Sequence, residues 1–153
     1  MTTVRRSGFT FIEIMLSMVI VALLSTIAVP KYLDLKRRAS TTNVIADFQV
    51  LRVAVLNFYG DSSYFPVESG PAEVPPGLQS YLPKGFDMTG HGYTLDYENW
   101  PLAPTGGPNG ETSLIGVTVT SDDPVLAETT SRVMGNVPQI VYGNGYTFVI
   151  TGM

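Results

Sequence analysis

Hydrophobic and polar positions divide this chain into stretches of different period. Residues 14–29 (IMLSMVIVALLSTIAV) carry no charge and almost no polarity. Joined to residues 9–12 they make an apolar run of about 20 residues, interrupted by one acid, Glu13, and roughly long enough as a helix to cross a ~30 Å hydrocarbon core. Beyond Pro30 the pattern becomes one-sided. Val44, Phe48, Leu51, Val55 and Phe58 recur at alternating steps of four and three, one face of an amphipathic helix. Gly60, followed by Asp61, Ser62 and Ser63, predicts where that helix stops. Pro30 lies inside an otherwise helical pattern, and its missing N–H and bulky ring predict a kink. Residues 9–59 therefore read as one long kinked helix, apolar all round in its first half and striped in its second.

After residue 60 the period shortens. Residues 75–83 allow a short helical turn between prolines. Residues 92–100 put Tyr93, Leu95 and Tyr97 on one face of a strand, and residues 114–120 alternate Ile115, Val117 and Val119 with Gly116, Thr118 and Thr120. Asp122, Asp123 and Pro124 predict the start of a short helix reaching Met134. Residues 139–142 and 146–151 read as strands around a Gly143-Asn144-Gly145 hairpin turn, and residues 101–110 as a loop. The expected fold class is α+β: a long kinked N-terminal helix, membrane-spanning in its first half, packed on a small antiparallel β-sheet head of three or four strands.

Composition narrows the function classes. The chain has 153 residues, enough for one modest core. Only 14% are charged, against roughly 25% in ordinary soluble domains. The absence of cysteine excludes a disulfide scaffold, a thiolate metal site and a cysteine nucleophile. A single histidine, His91, excludes a multi-histidine metal cluster and reads as a surface residue between two glycines. The net charge of −4 argues against a nucleic-acid partner. That average hides an asymmetry: residues 1–59 hold seven of the nine basic groups and three acids, whereas residues 60–153 hold two basic groups and ten acids. Four of the basic groups, Lys31, Lys36, Arg37 and Arg38, follow the apolar run and suit a headgroup contact or a solvated face, or ion pairing between subunits.

The residues of the apolar run are compatible with a cleavable secretory signal, with Thr26 and Ala28 near a cleavage site, or with an uncleaved anchor. Arg5 and Arg6 favour a cytoplasmic N-terminus, and the basic groups after Pro30 weaken that preference. Glu13 fits neither role. A carboxylate inside an apolar run costs about 2.5–3.5 kcal/mol on insertion scales, so an intramembrane acid calls for a positive partner.

Read together, Ser7-Gly8-Phe9-Thr10-Phe11-Ile12-Glu13-Ile14 resembles the prepilin signal of type IV pilins and type II secretion pseudopilins. That pattern is a short basic leader ending in glycine, then Phe-Thr-Leu-Ile-Glu, then an apolar helix. Phe11 stands where leucine is commoner, and the resemblance covers residues 5–38. It implies a leader at residues 1–8, a transmembrane and filament-core segment at 9–30, an amphipathic segment at 31–59 and a globular β-rich head at 60–153. It implies that prepilin peptidase cleaves between Gly8 and Phe9 and N-methylates Phe9. It implies that Glu13 pairs with the Phe9 amine of a neighbouring subunit, setting axial register. The implied partners are other copies of the chain, the peptidase, an inner-membrane assembly platform and, before assembly, the lipid bilayer. The precursor would be a single-pass protein of the inner (cytoplasmic) membrane, and the product an extracellular pilus or a periplasmic pseudopilus.

The head departs from the family in two ways. It has no cysteine for the C-terminal disulfide loop of many type IV pilins. Asp122 and Asp123 are the candidate ligands for the calcium loop of major pseudopilins, but no spaced acidic ladder surrounds them, so they read as a helix cap. No cofactor is expected. There is no Gly-x-Ser-x-Gly elbow, residues 106–112 lack the lysine of a phosphate loop, and Asp96 and Glu98 form a carboxylate pair without a visible cleft. The expectation is a non-enzymatic structural subunit of a type IV pilus. The alternatives are a type II secretion pseudopilin, a minor pilin that binds a surface or DNA, and a secreted or anchored binding module.

Overall fold

A computed structural model describes residues 8–102, 112–143 and 145–152. The leader arginines Arg5 and Arg6, most of the 101–110 loop, most of the glycine-rich 106–112 stretch and the turn residue Asn144 lie outside that set. The elements are α1 (Phe11–Ser62), β1 (Thr89–Gly90), β2 (Tyr93–Pro101), β3 (Ser113–Thr120), α2 (Pro124–Val133), β4 (Gln139–Tyr142) and β5 (Gly145–Gly152). The chain divides into two compact units, Met1–Lys36 and Arg37–Met153.

In the first unit α1 is apolar on all sides, long and apolar enough to cross a membrane, and does not end at Pro30. None of its most apolar stretch is buried by the chain itself. Its hydroxyls are satisfied internally. Ser17 donates to the Ile14 carbonyl at 2.8 Å, Ser25 to Val21 at 2.8 Å and Thr26 to Leu23 at 2.7 Å. Such back-bonding lets polar side chains sit on a lipid-facing helix without an orphan donor.

In the second unit the predicted stripe becomes core. Val44, Phe48, Leu51, Val55 and Phe58 are buried together with Leu95, Tyr97, Ile115, Val117, Val119 and Phe148 of the sheet. Phe48 meets Phe148 edge-to-face, with ring centroids 5.7 Å apart. The sheet is antiparallel, in the order β1-β2-β3-β5-β4. It has five strands where three or four were expected. The extra one, β1, has two residues, too few to carry an alternation. The β3–β5 register shifts between Ile115 and Gly116, an irregularity with no hydrophobic signature.

The helix also runs past its predicted stop. Gly60 is helical, and α1 closes at Ser62, whose hydroxyl donates to the Phe58 carbonyl at 2.6 Å. The next residue, Ser63, is left-handed at φ 62 and its N–H reaches the Tyr59 carbonyl at 2.8 Å, the closing role usually filled by glycine. The turn expected at 75–83 is a 3₁₀ turn at Leu78–Ser80, entered through Gly77 at φ 85. Leu78 is fully buried there.

A polar tie also joins α1 to the sheet. The Tyr93 hydroxyl donates to the Asp47 carboxylate, while the Tyr93 ring is buried. Burial, reinforced by Asp47, raises the Tyr93 phenol well above its usual range, so it remains the donor at any ordinary pH. Tyr93→Phe keeps the ring but strands the acceptor. Urea unfolding of the detergent-solubilised chain should show a loss of about 1–3 kcal/mol.

Candidate functional site

The helix start is the site singled out by sequence, and it is built by a capping box. Thr10 is the cap: its hydroxyl accepts from the Glu13 N–H at 3.4 Å. The Glu13 carboxylate reaches back, its Oε2 accepting the Thr10 N–H at 2.8 Å and the Thr10 hydroxyl at 2.7 Å. Both bonds fall on Oε2, so Oε1 stays open to another donor. Thr-x-x-Glu is the sequence signature of this arrangement, and it explains why α1 begins at Phe11 instead of residue 9. Phe9 is 85% exposed. A Cβ added to Gly8 meets nothing within 4 Å.

The candidate metal ligands separate in the structure. Asp123 caps α2, its Oδ1 accepting the Val125 N–H at 3.0 Å, and its Oδ2 receives Arg37 Nε at 2.9 Å. The Arg37 guanidinium holds the Asp123 carboxyl below the usual range, with the helix-start N–H adding to it. Ser121 ties the corner together, accepting the Asp123 N–H at 3.1 Å and donating to the Gly92 carbonyl at 2.6 Å. Ser40 on α1 donates to the His91 carbonyl at 3.4 Å, so the histidine contributes its backbone here while its side chain is exposed. Asp122 is exposed and lines two cavities of about 550 Å³ and 280 Å³ together with Thr120 and Ser121. Among the described residues no group of three or more His, Asp or Glu is placed to hold a metal ion.

The carboxylate pair of β2 lies on the sheet face opposite the core. Glu98 accepts from the Thr118 hydroxyl at 2.7 Å, and Thr118 in turn meets Thr147 at 2.7 Å. Asp96 has a buried Oδ1 without a hydrogen-bond partner. Neither cavity at the Asp122 corner is lined by Asp96 or Glu98. The alternation of β2 foretells the face these acids share, but not the burial of Asp96.

Comparison with known proteins bears on the helix start. The family model for the prokaryotic N-terminal methylation motif matches residues 4–29. Type II secretion system core protein G of Escherichia coli (strain K12) is 26% identical over 126 residues, covering 71% of this chain and 86% of that protein. Both likenesses support the pilin and pseudopilin family for this chain. The family is structural, processed by prepilin peptidase and assembled into multi-subunit filaments. The motif and the apolar helix fit a membrane-anchored precursor. No solved structure matches the chain.

Within this pilin-like head Asp96 sets a pH dependence. Burial, then the charges of Glu98 and Glu68, pushes its carboxyl up from 3.8 to about 6. The folded head therefore holds this proton more tightly than the unfolded chain does. The resulting stabilisation is full below pH 3.8 and is lost as the pH rises through about 6. Asp96→Asn should unfold at a higher urea concentration than the parent at pH 7. Near pH 4 the difference should largely vanish when unfolding is followed by the fluorescence of the single tryptophan, Trp100.

Proposed function

We propose that this chain is a structural subunit of a helical filament of the type II secretion pseudopilus kind. The observation that carries the reading is the first half of α1, apolar on every side, uncovered by its own chain and headed by the Phe9-to-Glu13 motif. The similarity to a type II secretion core protein, spanning 86% of that relative, favours the pseudopilus over the pilus. A type IV pilus subunit is the second reading. It is favoured by the Asp123 corner, where the carboxylate is taken up by Arg37 and the α2 cap, not left open for calcium.

In this reading residues 1–8 are a leader, 9–30 the membrane and filament-core segment, 31–59 the striped helix and 60–153 the head. The peptidase cleaves between Gly8 and Phe9 and methylates the new amine, which keeps its charge. The Phe9 amine of one subunit then meets the open Oε1 of Glu13 in a neighbour, while Thr10 keeps Oε2. In an apolar surrounding, removing one member of such a pair leaves the other buried and unpaired, at a cost of about 3–5 kcal/mol. A bend at Pro30 adapts the helix between core and head. The precursor waits in the cytoplasmic membrane, and the assembly platform moves it into the filament.

Intact mass and N-terminal peptide spectrometry of the protein from its own host should find a chain that begins with N-methylated Phe9. A chain beginning near Val29 would instead make the apolar run an ordinary secretory signal and remove the filament reading. Glu13→Ala should still be processed, yet its filament yield should drop at least tenfold. Disrupting the gene separates the two filament readings. Loss of proteins from the medium with surface fibres intact marks a pseudopilus, and loss of surface fibres marks a pilus.

A further inference from the structure

We infer that the open edge of the sheet, β4, pairs antiparallel with β4 of a second copy of this chain, about a twofold axis at Ile140. The inference goes beyond the filament reading and stands on the head alone.

The sheet treats its two edges differently. On one side β1 covers only Tyr93 and Thr94 of β2. Much of the remaining edge is taken up by the chain before it. The Leu95 carbonyl accepts from the Ala72 N–H at 3.1 Å, the Leu95 N–H donates to the Met88 carbonyl at 2.7 Å, and the Asn99 N–H donates to the Glu68 carboxylate at 3.2 Å. On the other side β4 has β5 for one neighbour and, among the described residues, no strand for a second. Gln139, Ile140 and Val141 are all exposed, Val141 by 66%. Proteins that leave such an edge in solvent blunt it with lysine or another charge. Here residues 133–153 carry no charge at all.

The register shows which backbone groups the edge offers. The Val149 N–H donates to the Pro138 carbonyl at 2.8 Å, which makes 138 and 149 a hydrogen-bonded pair. Pairing then alternates, so Ile140 and Tyr142 turn their N–H and C=O groups to β5, and Gln139 and Val141 turn theirs outward. Pro138 lacks its N–H on the β5 side, so it does not blunt the outward row.

A second β4 fits that row. Laid antiparallel with Ile140 opposite Ile140, it sets Gln139 opposite Val141 on both sides of the axis. Those residues face outward in both chains, so each such pair exchanges both of its N–H···O=C bonds. Ile140 meets its own copy in the closer, non-bonded kind of pair, apolar against apolar, with no like charges opposed. The other edge strand, β1, has two residues and offers no such match. The twofold axis lies along the sheet normal, so the stretches of α1 packed on the two sheets run in opposite directions. Neighbours within one polar filament are not related in that way, and the pair therefore links heads of two filaments lying side by side. One strand of four residues is a small contact, and repetition along a filament multiplies it.

The chain has no cysteine, so introduced cysteines report without background. In a non-bonded pair the Cα atoms stand about 4.5 Å apart, within disulfide reach. Oxidised full-length Ile140→Cys, solubilised in detergent, should yield at least tenfold more disulfide-linked dimer than Gln139→Cys or Val141→Cys. Mixing the last two chains should yield their one-to-one dimer. Adding Val141→Pro to Ile140→Cys removes an outward N–H and leaves the β5 ladder intact. It should lower the dimer yield at least tenfold while Trp100 fluorescence reports the parent's urea midpoint. Should the proline shift that midpoint, the pattern of the three single variants decides alone. Absence of the Ile140→Cys dimer, equal yields from the three single variants, or a yield unmoved by a tolerated Val141→Pro overturns the pairing. An Ile140→Cys chain that is trapped in its host only on a different protein overturns it as well, and assigns the edge to that partner. Dimers from a chain that makes no filaments leave the pairing standing and remove the filament reading.

Discussion

The first half of α1 presents leucine, isoleucine and valine in every direction, and its own chain covers none of its most apolar stretch. Two shelters suit such a surface, a bilayer and a bundle of like helices. Lipid tails are about as apolar as leucine, so moving the helix from one to the other changes the hydrophobic term little. Polar groups must then decide between them. The hydroxyls of Ser17, Ser25 and Thr26 are already bonded to their own helix and are indifferent to the choice. Glu13 keeps an oxygen to spare after capping the helix. It is the group in the apolar run with most to gain from a neighbour that offers a positive charge.

The second half of α1 solves the opposite problem. Its stripe buries Phe48, Leu51 and Val55 in one core with the sheet, where apolar burial stabilises the head. The polar ties orient more than they stabilise. Arg37 and Asp123 are both more than a third exposed, where an ion pair contributes less than about 1 kcal/mol. Its effect is to place the start of α2, and with it Asp122, at one defined height along the helix. The Tyr93–Asp47 bond fixes the start of β2 in the same way.

Periodic features of this fold were readable in advance because one period served each element throughout. The steps from Val44 to Phe58 predicted the buried face of α1, and Leu95 with Tyr97 predicted the buried face of β2. Single-residue decisions escaped that reading. Gly60 looked like a helix stop, but α1 has contacts to keep beyond it, among them the Tyr81 hydroxyl on Asp61 at 2.9 Å, and Ser63 takes the left-handed position instead. The two-residue β1 and the shift at Gly116 depend on neighbours distant in sequence. At the helix start the motif was legible, whereas the capping of Thr10 by Glu13 Oε2, with Oε1 left open, emerged only with the geometry. The isolation of Asp96 was invisible, because alternation reports which face a residue occupies and not what covers it.

Glycines separate what the fold needs from what something else reads. Gly116 is dictated from within: a Cβ there would lie 2.8 Å from the Thr147 methyl and 3.2 Å from the Phe148 carbonyl oxygen, so any side chain would push β3 off β5. Gly77 is dictated as well, by its φ of 85 and by the Phe58 ring 3.0 Å from where a Cβ would stand. Gly8 meets neither constraint. It has open space around it, and the helix begins only at Phe11. Phe9 beside it puts a large ring into the open, where the fold gains nothing from it. Residue choices that the chain's own energetics leave free, in an order shared with a methylation motif, are best explained by recognition from outside the chain. In the filament reading proposed above, the reader of Gly8 and Phe9 is a peptidase and that of Glu13 is the next subunit.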